Sequence, residues 1–394
     1  MVKIIIPKLR FKEFKDNWKY YTFEEIISSK SNTYNPQKNM KDYKCIELEH
    51  INQEDGTING YTSSKEQKSS KNFFSEGSIL FGKLRPYLKK YWLASFSGVC
   101  SSEILVLNSK DIEIINNKFI FYLVQIHYFI ELCKLSTGSK MPRADWSYIK
   151  EQSIAIPTVE EQEKISKMLS LLDKKIELQK QKIEALKLYK FGFIKQYFKN
   201  LKHYTEVAFD EIGKEYSTSP LGKDLIDENG KKPIIFYGDI FTIYEEIIDE
   251  IKNFTNYDIK NIELSEINDI ILPSSTTVDA LSLISASAVH IKGAIYGGDI
   301  ILYRINNNIA NSDYVSYQIN YDLKHTLAKY AQGSTIIHIY FEHFKKIKLK
   351  LPIIKEQEKM VNLFNLLNKK INYENSKFKV FNYIKKSLLQ QLFI

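Results

Sequence analysis

The chain repeats itself at an offset of 195 residues. Residues 157–176 read PTVEEQEKISKMLSLLDKKI, and residues 352–371 read PIIKEQEKMVNLFNLLNKKI. Pro157 aligns with Pro352, Glu161-Gln162-Glu163-Lys164 with Glu356-Gln357-Glu358-Lys359, and Leu171-Leu172 with Leu366-Leu367. Between 157–198 and 352–393, 14 of 42 positions are identical without a gap. Gly138-Ser139 matches Gly333-Ser334 at the same offset. Self-similarity at half the chain length means one structural unit used twice: a globular part followed by a helix, then the same again.

Both repeated segments read as long helices. Each follows a proline that ends a strand-like run, SIAIP or KLKLP, because the residue before proline is biased toward extended backbone. Thr158 with Glu161 predicts a capping box in the first copy, whereas Ile353 leaves the second copy without one. Apolar residues then recur in heptads. The first seam carries Leu169, Leu172, Ile176, Ile183 and Leu186, and the second Phe364, Leu367, Ile371, Phe378 and Phe381. Polar residues interrupt both seams at equivalent places, Gln179 with Glu374 and Lys190 with Lys385. About 42 residues at 1.5 Å each make a rod of roughly 60 Å. Such a stripe needs a partner helix, and the expected partner is the other copy, in a coiled coil.

The expected fold is α+β, with two similar globular domains separated by the two long helices. The boundaries are 1–152 for the first head, 153–200 for its helix, 201–347 for the second head and 348–394 for its helix. Strand patterns fall at Tyr43–Glu47, Ser78–Phe81, Glu103–Leu107 and Ser153–Ile156. Those of the second copy fall at Pro233–Tyr237, Asp269–Leu272, Ala288–Lys292, Asp299–Tyr303 and Lys346–Leu351. Helical periodicity marks Asn117–Leu132 and Val315–Lys329.

The formal charge of +9 is unevenly spread. Residues 1–200 hold 33 basic and 23 acidic side chains, and residues 201–340 hold 11 and 20. Polyanion binding is permitted by this balance, not required by it. Cys45, Cys100 and Cys133 are widely spaced, which excludes a disulfide framework and a CxxC metal site and fits a reducing compartment. The longest apolar stretch, Phe119 to Ile130, is too short to span a bilayer. MVKIIIPKLR is not a secretory signal, so the expectation is a cytoplasmic protein without membrane attachment.

Motifs for catalysis are missing. The sequence contains no GxxxxGK[ST], GxGxxG or HExxH, no proline followed by aspartate as in PD…(D/E)xK nucleases, and no Asn/Asp-Pro-Pro-aromatic motif. The seven histidines have no evident ligand partners. Neither catalysis nor a metal or cofactor on this chain is expected.

The head–helix–head–helix layout, with helices opening as IPxxxEQxKI and LPxxxEQxKM, resembles the specificity subunit of type I restriction-modification systems. The opening PKLRFKEFKDNWKYYTFEEI and the segment GSILFGKLRPYLKKYWLASFSGVCSSEILVL are similar to that family as well. The resemblance covers essentially the whole chain. It implies a non-catalytic DNA-recognition subunit whose two long helices pair as an antiparallel coiled coil and whose heads are target recognition domains reading a bipartite, gapped target in double-stranded DNA. Two methylation subunits would dock on the helices and bring S-adenosylmethionine, and restriction motor–nuclease subunits would join them. The competing expectation is a coiled-coil adaptor whose heads bind proteins.

Candidate DNA contacts in the first head are Lys83, Arg85, Tyr87, Lys89 and Lys90 within FGKLRPYLKKYW, an acid-free stretch interleaved with aromatics. Lysine neutralises phosphates and arginine reads guanine bidentately. A Gly-Ser-Lys turn adds Ser139, Lys140 and Arg143. The second-head counterparts are Ser274, Ser275, Thr276 and Thr277 after a strand, Ser334 and Thr335 in the matching turn, and Arg304 and His338 nearby in sequence. The second set supplies hydroxyls rather than charge, in keeping with its acidic segment.

Overall fold

A computed structural model describes residues 7–38, 41–135, 142–257 and 262–393. It divides into two compact units, one comprising 1–180 with 376–394 and the other 181–375. Each holds one head and parts of both long helices. The division therefore cuts through the helices, not at their ends.

In the first unit a four-stranded sheet runs in the order Ile27–Ser28, Ile104–Ser109, Ile79–Gly82, Tyr91–Leu93. A five-stranded sheet holds Thr33–Tyr34, Lys71–Phe74, Gly98–Ser101, Lys44–Ile46 and Thr62–Ser63. Strand Ile79–Gly82 is buried on both faces. Its alternate side chains, Ile79 and Phe81 on one side and Leu80 on the other, enter two separate cores, which explains its unbroken apolar run. Lys19–Thr22 pairs antiparallel with Ser153–Ile156 at the helix entrance.

The second unit repeats this plan. Its five-stranded sheet runs Gly213–Tyr216, Ile300–Ile305, Asp269–Pro273, Ser287–Val289, Ile247–Ile248. Here Asp269–Pro273 is the doubly buried strand, with Ile270 and Leu272 in one core and Ile271 in the other. Thr205–Ala208 pairs with Lys348–Leu351 as its counterpart does in the first unit.

The helices within the heads are more broken than their periodicity predicts. The first divides into Asn117–Leu123 and His127–Leu135. The second runs as Ser312–Gln318, a π-helical turn at Ile319–Leu323, and Lys324–Ala328. Both start at an asparagine cap, Asn116 or Asn311, whose side chain accepts from the backbone N–H three residues on.

The long helices span Val159–Asn200 and Ile354–Leu392. In the first unit Lys385 pairs with Asp173 at 2.7 Å, and Lys175 lies over the Phe381 ring at 4.5 Å. In the second, Lys182 pairs with Glu374 at 2.9 Å, and the Phe193 and Phe364 rings stand 6.2 Å apart. As one number rises the other falls, so the helices pair antiparallel in each unit. Leu169, Ile183, Phe364 and Ile371 are buried, while Leu172, Ile176, Leu186, Leu367, Phe378 and Phe381 are half-buried. The polar interruptions Gln179, Lys190, Glu374 and Lys385 are buried too.

The glutamine of each EQ pair is a clamp. Gln162 accepts from the Asn116 backbone N–H and donates to the Ile114 and Pro157 carbonyls. Gln357 accepts from the Asn311 N–H and donates to the Pro352 carbonyl. The motif thus ties the long helix to the cap of the head helix. The preceding glutamate departs from the expected capping box, because both Glu161 oxygens accept from Arg10, at 2.9 and 2.8 Å.

Candidate nucleic-acid interface

In the first head, Lys83–Lys90 forms the loop between strands Ile79–Gly82 and Tyr91–Leu93. A short 3₁₀ turn, Pro86–Leu88, is flanked by Arg85 and Lys89, both in the left-handed region with φ of 50° and 48°. Glu54, whose N–H donates to the Lys89 carbonyl, has φ of 61°. Three non-glycine residues in this conformation cost of order 1–3 kcal/mol each and persist only where surrounding bonds over-determine them.

Those bonds come from distant sequence. Lys83 N–H donates to the Glu103 carbonyl, Ala144 N–H to the Lys83 carbonyl, and Arg85 N–H to the Pro142 carbonyl. Leu84 bridges to Arg143. The two basic patches of the first head, about sixty residues apart in sequence, therefore form one surface. Arg85, Tyr87 and Arg143 are exposed on it, and Arg143 lies 2.8 Å from Glu103. Lys83 is half-buried and donates to the Ser102 carbonyl. Burial lowers its pKa, Glu103 opposes that, and Arg143 adds to it.

Other residues of the patch have different roles. Lys90 Nζ donates to the Leu48 carbonyl at 2.6 Å, and Lys89 points toward Glu54 at 3.8 Å, so these ammonium groups secure the flank of the loop. Tyr91 and Trp92 belong to the core. Ser139 and Lys140 lie outside the described residues.

The second head brings its two patches together in the same way. Ser275–Thr276 pairs with Ile337–His338, placing Ser275 opposite His338. Arg143 and His338 are 195 residues apart, and Leu84 and Ser275 each stand two residues past the doubly buried strand, so Leu84–Arg143 and Ser275–His338 are the same contact in the two copies. Sequence reading noted the Gly-Ser match and missed this one, although the offset was in view. Thr277, Ser334 and Thr335 are exposed and Ser274 is half-buried. Gly333 shapes the turn with φ of 124°, where an added Cβ would run into the Ile336 carbonyl. The exposed Tyr340 ring lies parallel to His338, at 6.2 Å, and is a contact candidate that sequence reading did not select.

Two expectations for this head need correction. Ser275 and Thr276 are 6% and 8% exposed, because strand pairing turns them into the sheet. Arg304 lies at the far end of the central strand from Ser274. It binds Asp269 at 2.6 and 3.1 Å and reaches Glu263 at 3.4 Å. Its guanidinium packs on Tyr216. Paired in this way, it braces the sheet.

Among the described residues, no group of three or more His, Cys, Asp or Glu side chains could hold a metal ion. Burial pushes the Cys45 thiol up to about 12, so it behaves as a core group. No described helix is long and apolar enough to cross a membrane.

Comparison with known proteins decides the family. The model of the type I restriction modification DNA specificity domain matches twice, over residues 15–188 and 203–380. The chain belongs to this family. A curated relative, the type I restriction enzyme EcoDI specificity subunit of Escherichia coli, is 28% identical over 163 residues, 40% of this chain and 35% of the relative. The MjaIX specificity subunit of Methanocaldococcus jannaschii is 35% identical over 122 residues, 29% of this chain and 28% of the relative. The aligned stretches thus span about a third of these relatives. Among solved structures, the type I restriction-modification system S subunit from M. genitalium aligns with a TM-score of 0.56 at 18% identity over 99% of each chain. A chain from a study of complex assembly and conformational transition of the type I R-M system aligns with a TM-score of 0.65 at 15% identity, over 95% of this chain and 97% of that one. At these identities the structural likeness establishes the fold, two specificity domains with long helices.

Proposed function

We propose that this chain is the DNA-recognition subunit of a type I restriction-modification complex, with each head reading one half of a bipartite, gapped target in double-stranded DNA. The observation that carries the reading is the doubled surface. Leu84–Arg143 and Ser275–His338 join the same two loops at the same place in two copies of a DNA specificity domain. The exposed groups differ, with Arg85 and Arg143 on the first and Thr277, Ser334 and Thr335, beside half-buried His338, on the second. Two unlike surfaces on one scaffold suit two unlike half-sites. Phosphate contacts would set register and base-edge contacts the sequence.

Partner subunits would supply the chemistry. The long helices expose apolar residues at repeat-equivalent positions: Leu171 with Leu366, Leu178 with Tyr373, and Leu188 with Tyr383. Each unit presents three of them. The matched stripes favour two copies of one partner, a methylation subunit carrying S-adenosylmethionine, with restriction motor–nuclease subunits joining that assembly in a cytoplasmic complex.

The test is a methylome. The chain is co-expressed with the methylation subunit encoded beside its gene, in a host lacking adenine methylation, and modified adenines are mapped. One gapped, asymmetric motif that depends on this chain is the expected result. A stable complex without sequence-specific modification would overturn the reading.

A further inference from the structure

The two units treat one matching surface differently. In the first, the residues from Pro7 to Trp18 run over the start of the long helix before entering strand Lys19–Thr22. Leu9 N–H donates to the Gln391 carbonyl. Arg10 is nearly buried and donates through Nε and Nη2 to the two Glu161 oxygens, and through Nη2 to the Asp16 carbonyl at 2.6 Å. Phe11 packs on the first core beneath Lys164. An apolar–arginine–aromatic segment thus covers this place.

In the second unit the counterpart of strand Lys19–Thr22 is Thr205–Ala208, because Ile156 and Leu351, their partners, are repeat-equivalent. Only Leu201–Tyr204 separate that strand from the helix ending at Asn200. Four residues reach at most about 14 Å, too short to follow the path that Pro7–Trp18 takes. What remains is an open groove of about 690 Å³, lined by Phe193, Tyr197, Leu201, Pro352, Ile353 and Glu356. Glu356 is the repeat-equivalent of Glu161, and no ion pair with a described side chain neutralises it. Ile353, in the place of Thr158, is 76% exposed. Lys202 and His203 also border the groove, and Glu356 is its one carboxylate, at the place where Glu161 meets Arg10 in the first unit.

We propose that this groove receives an extended segment of another polypeptide, in which an arginine lies between apolar residues and pairs with Glu356. The partner is a different protein, since this chain's own segment of that kind already occupies the first unit. A carboxylate–guanidinium pair set in an apolar groove combines charge-assisted bonding with burial of Ile353 and Tyr197. The inference rests on the duplication alone and not on what the heads recognise.

The test uses the full chain and a labelled peptide of residues 7–16, PKLRFKEFKD, as probe. Saturable binding at one site is expected. Glu356→Gln, Ile353→Asp, or alanine in place of arginine in the peptide should each weaken it about tenfold, a change of about 1.4 kcal/mol. Ile353 is exposed, so its substitution leaves folding intact. Absence of saturable binding would overturn the proposal. So would binding that falls with Glu161→Gln but not with Glu356→Gln, because the peptide would then be exchanging with the first unit's own segment. Dimerisation of the chain abolished by Ile353→Asp would assign the groove to a second copy, and would likewise overturn it.

Discussion

Gln162 and Gln357 each saturate buried backbone groups from two directions, so their loss should be felt far beyond one contact. Replacing either by alanine leaves the N–H of Asn116 or Asn311 without its acceptor. An unsatisfied buried donor costs about 1–3 kcal/mol. Chemical denaturation should show a loss of about 2 kcal/mol for each, confined to the unit that carries the change. His290 tests a second residue-scale idea. Its Nε2 lies 2.6 Å from Asp313 and its Nδ1 2.8 Å from Asp249. The Asp313 bond, opposed by burial and aided by both carboxylates' charge, raises its pKa above 6.5. Its contribution is fully present below about pH 6.5 and disappears as pH rises through the raised value. Thermal melts of the chain should therefore fall in this range, and His290→Gln should flatten that part of the profile. At the proposed DNA surface, Arg85→Ala and Arg143→Ala should weaken or relax one half-site by about 1–3 kcal/mol and leave the other unchanged in binding-site selection.

At the scale of elements, the polar seam positions do different jobs in the two copies. In the first unit Lys385 pairs with Asp173, which also accepts from the Tyr122 hydroxyl at 2.8 Å. In the second, the repeat-equivalent of Asp173 is Asn368. The carboxylate comes instead from the head: Lys190 pairs with Glu246 at 2.8 Å, and Tyr321 and Asn368 donate to it. Burial raises the Glu246 pKa, but Lys190 and Tyr321 more than offset this and hold it below 4.5. Lys190 and Glu246 are 8% and 9% exposed, so removing one charge strands the other. Lys190→Met should cost about 3–5 kcal/mol in urea unfolding, and Lys190→Met with Glu246→Gln should recover much of it. Lys385→Met should cost less, since Asp173 keeps partial access to water. Legibility follows the range of the forces involved. The long helices, their seams and their polar breaks were readable because heptad periodicity is local. Strand positions such as Ser153–Ile156 were readable for the same reason. The acid partner of Lys190 was not, because it arrives from another element 56 residues away. Nor were the burial of Ser275 and Thr276 or the pairing of Arg304 with Asp269, both of which depend on strand register.

At the scale of the whole molecule, duplication makes a countable prediction. Leu171 and Leu178 on the first unit, and Leu366 and Tyr373 on the second, are exposed apolar side chains at matched positions. If each pair anchors one methylation subunit, the two sites are separable. Leu171→Asp with Leu178→Asp should reduce the assembly from two partner copies to one, and Leu366→Asp with Tyr373→Asp should do the same from the other side. All four changes together should leave the chain alone. Native mass spectrometry of co-expressed proteins reads these states directly. Burying an aspartate in an apolar contact costs several kcal/mol, while the same residue in water costs the free chain little, so the effect should fall on assembly and not on folding. The methylome separates the two units further. A complex with one partner should still bind the full gapped target, because both heads remain intact, but should modify adenine beside one half-site only. Loss of both partners from either double variant would mean that the stripes act as one continuous surface, and the twofold reading of the helices would fail.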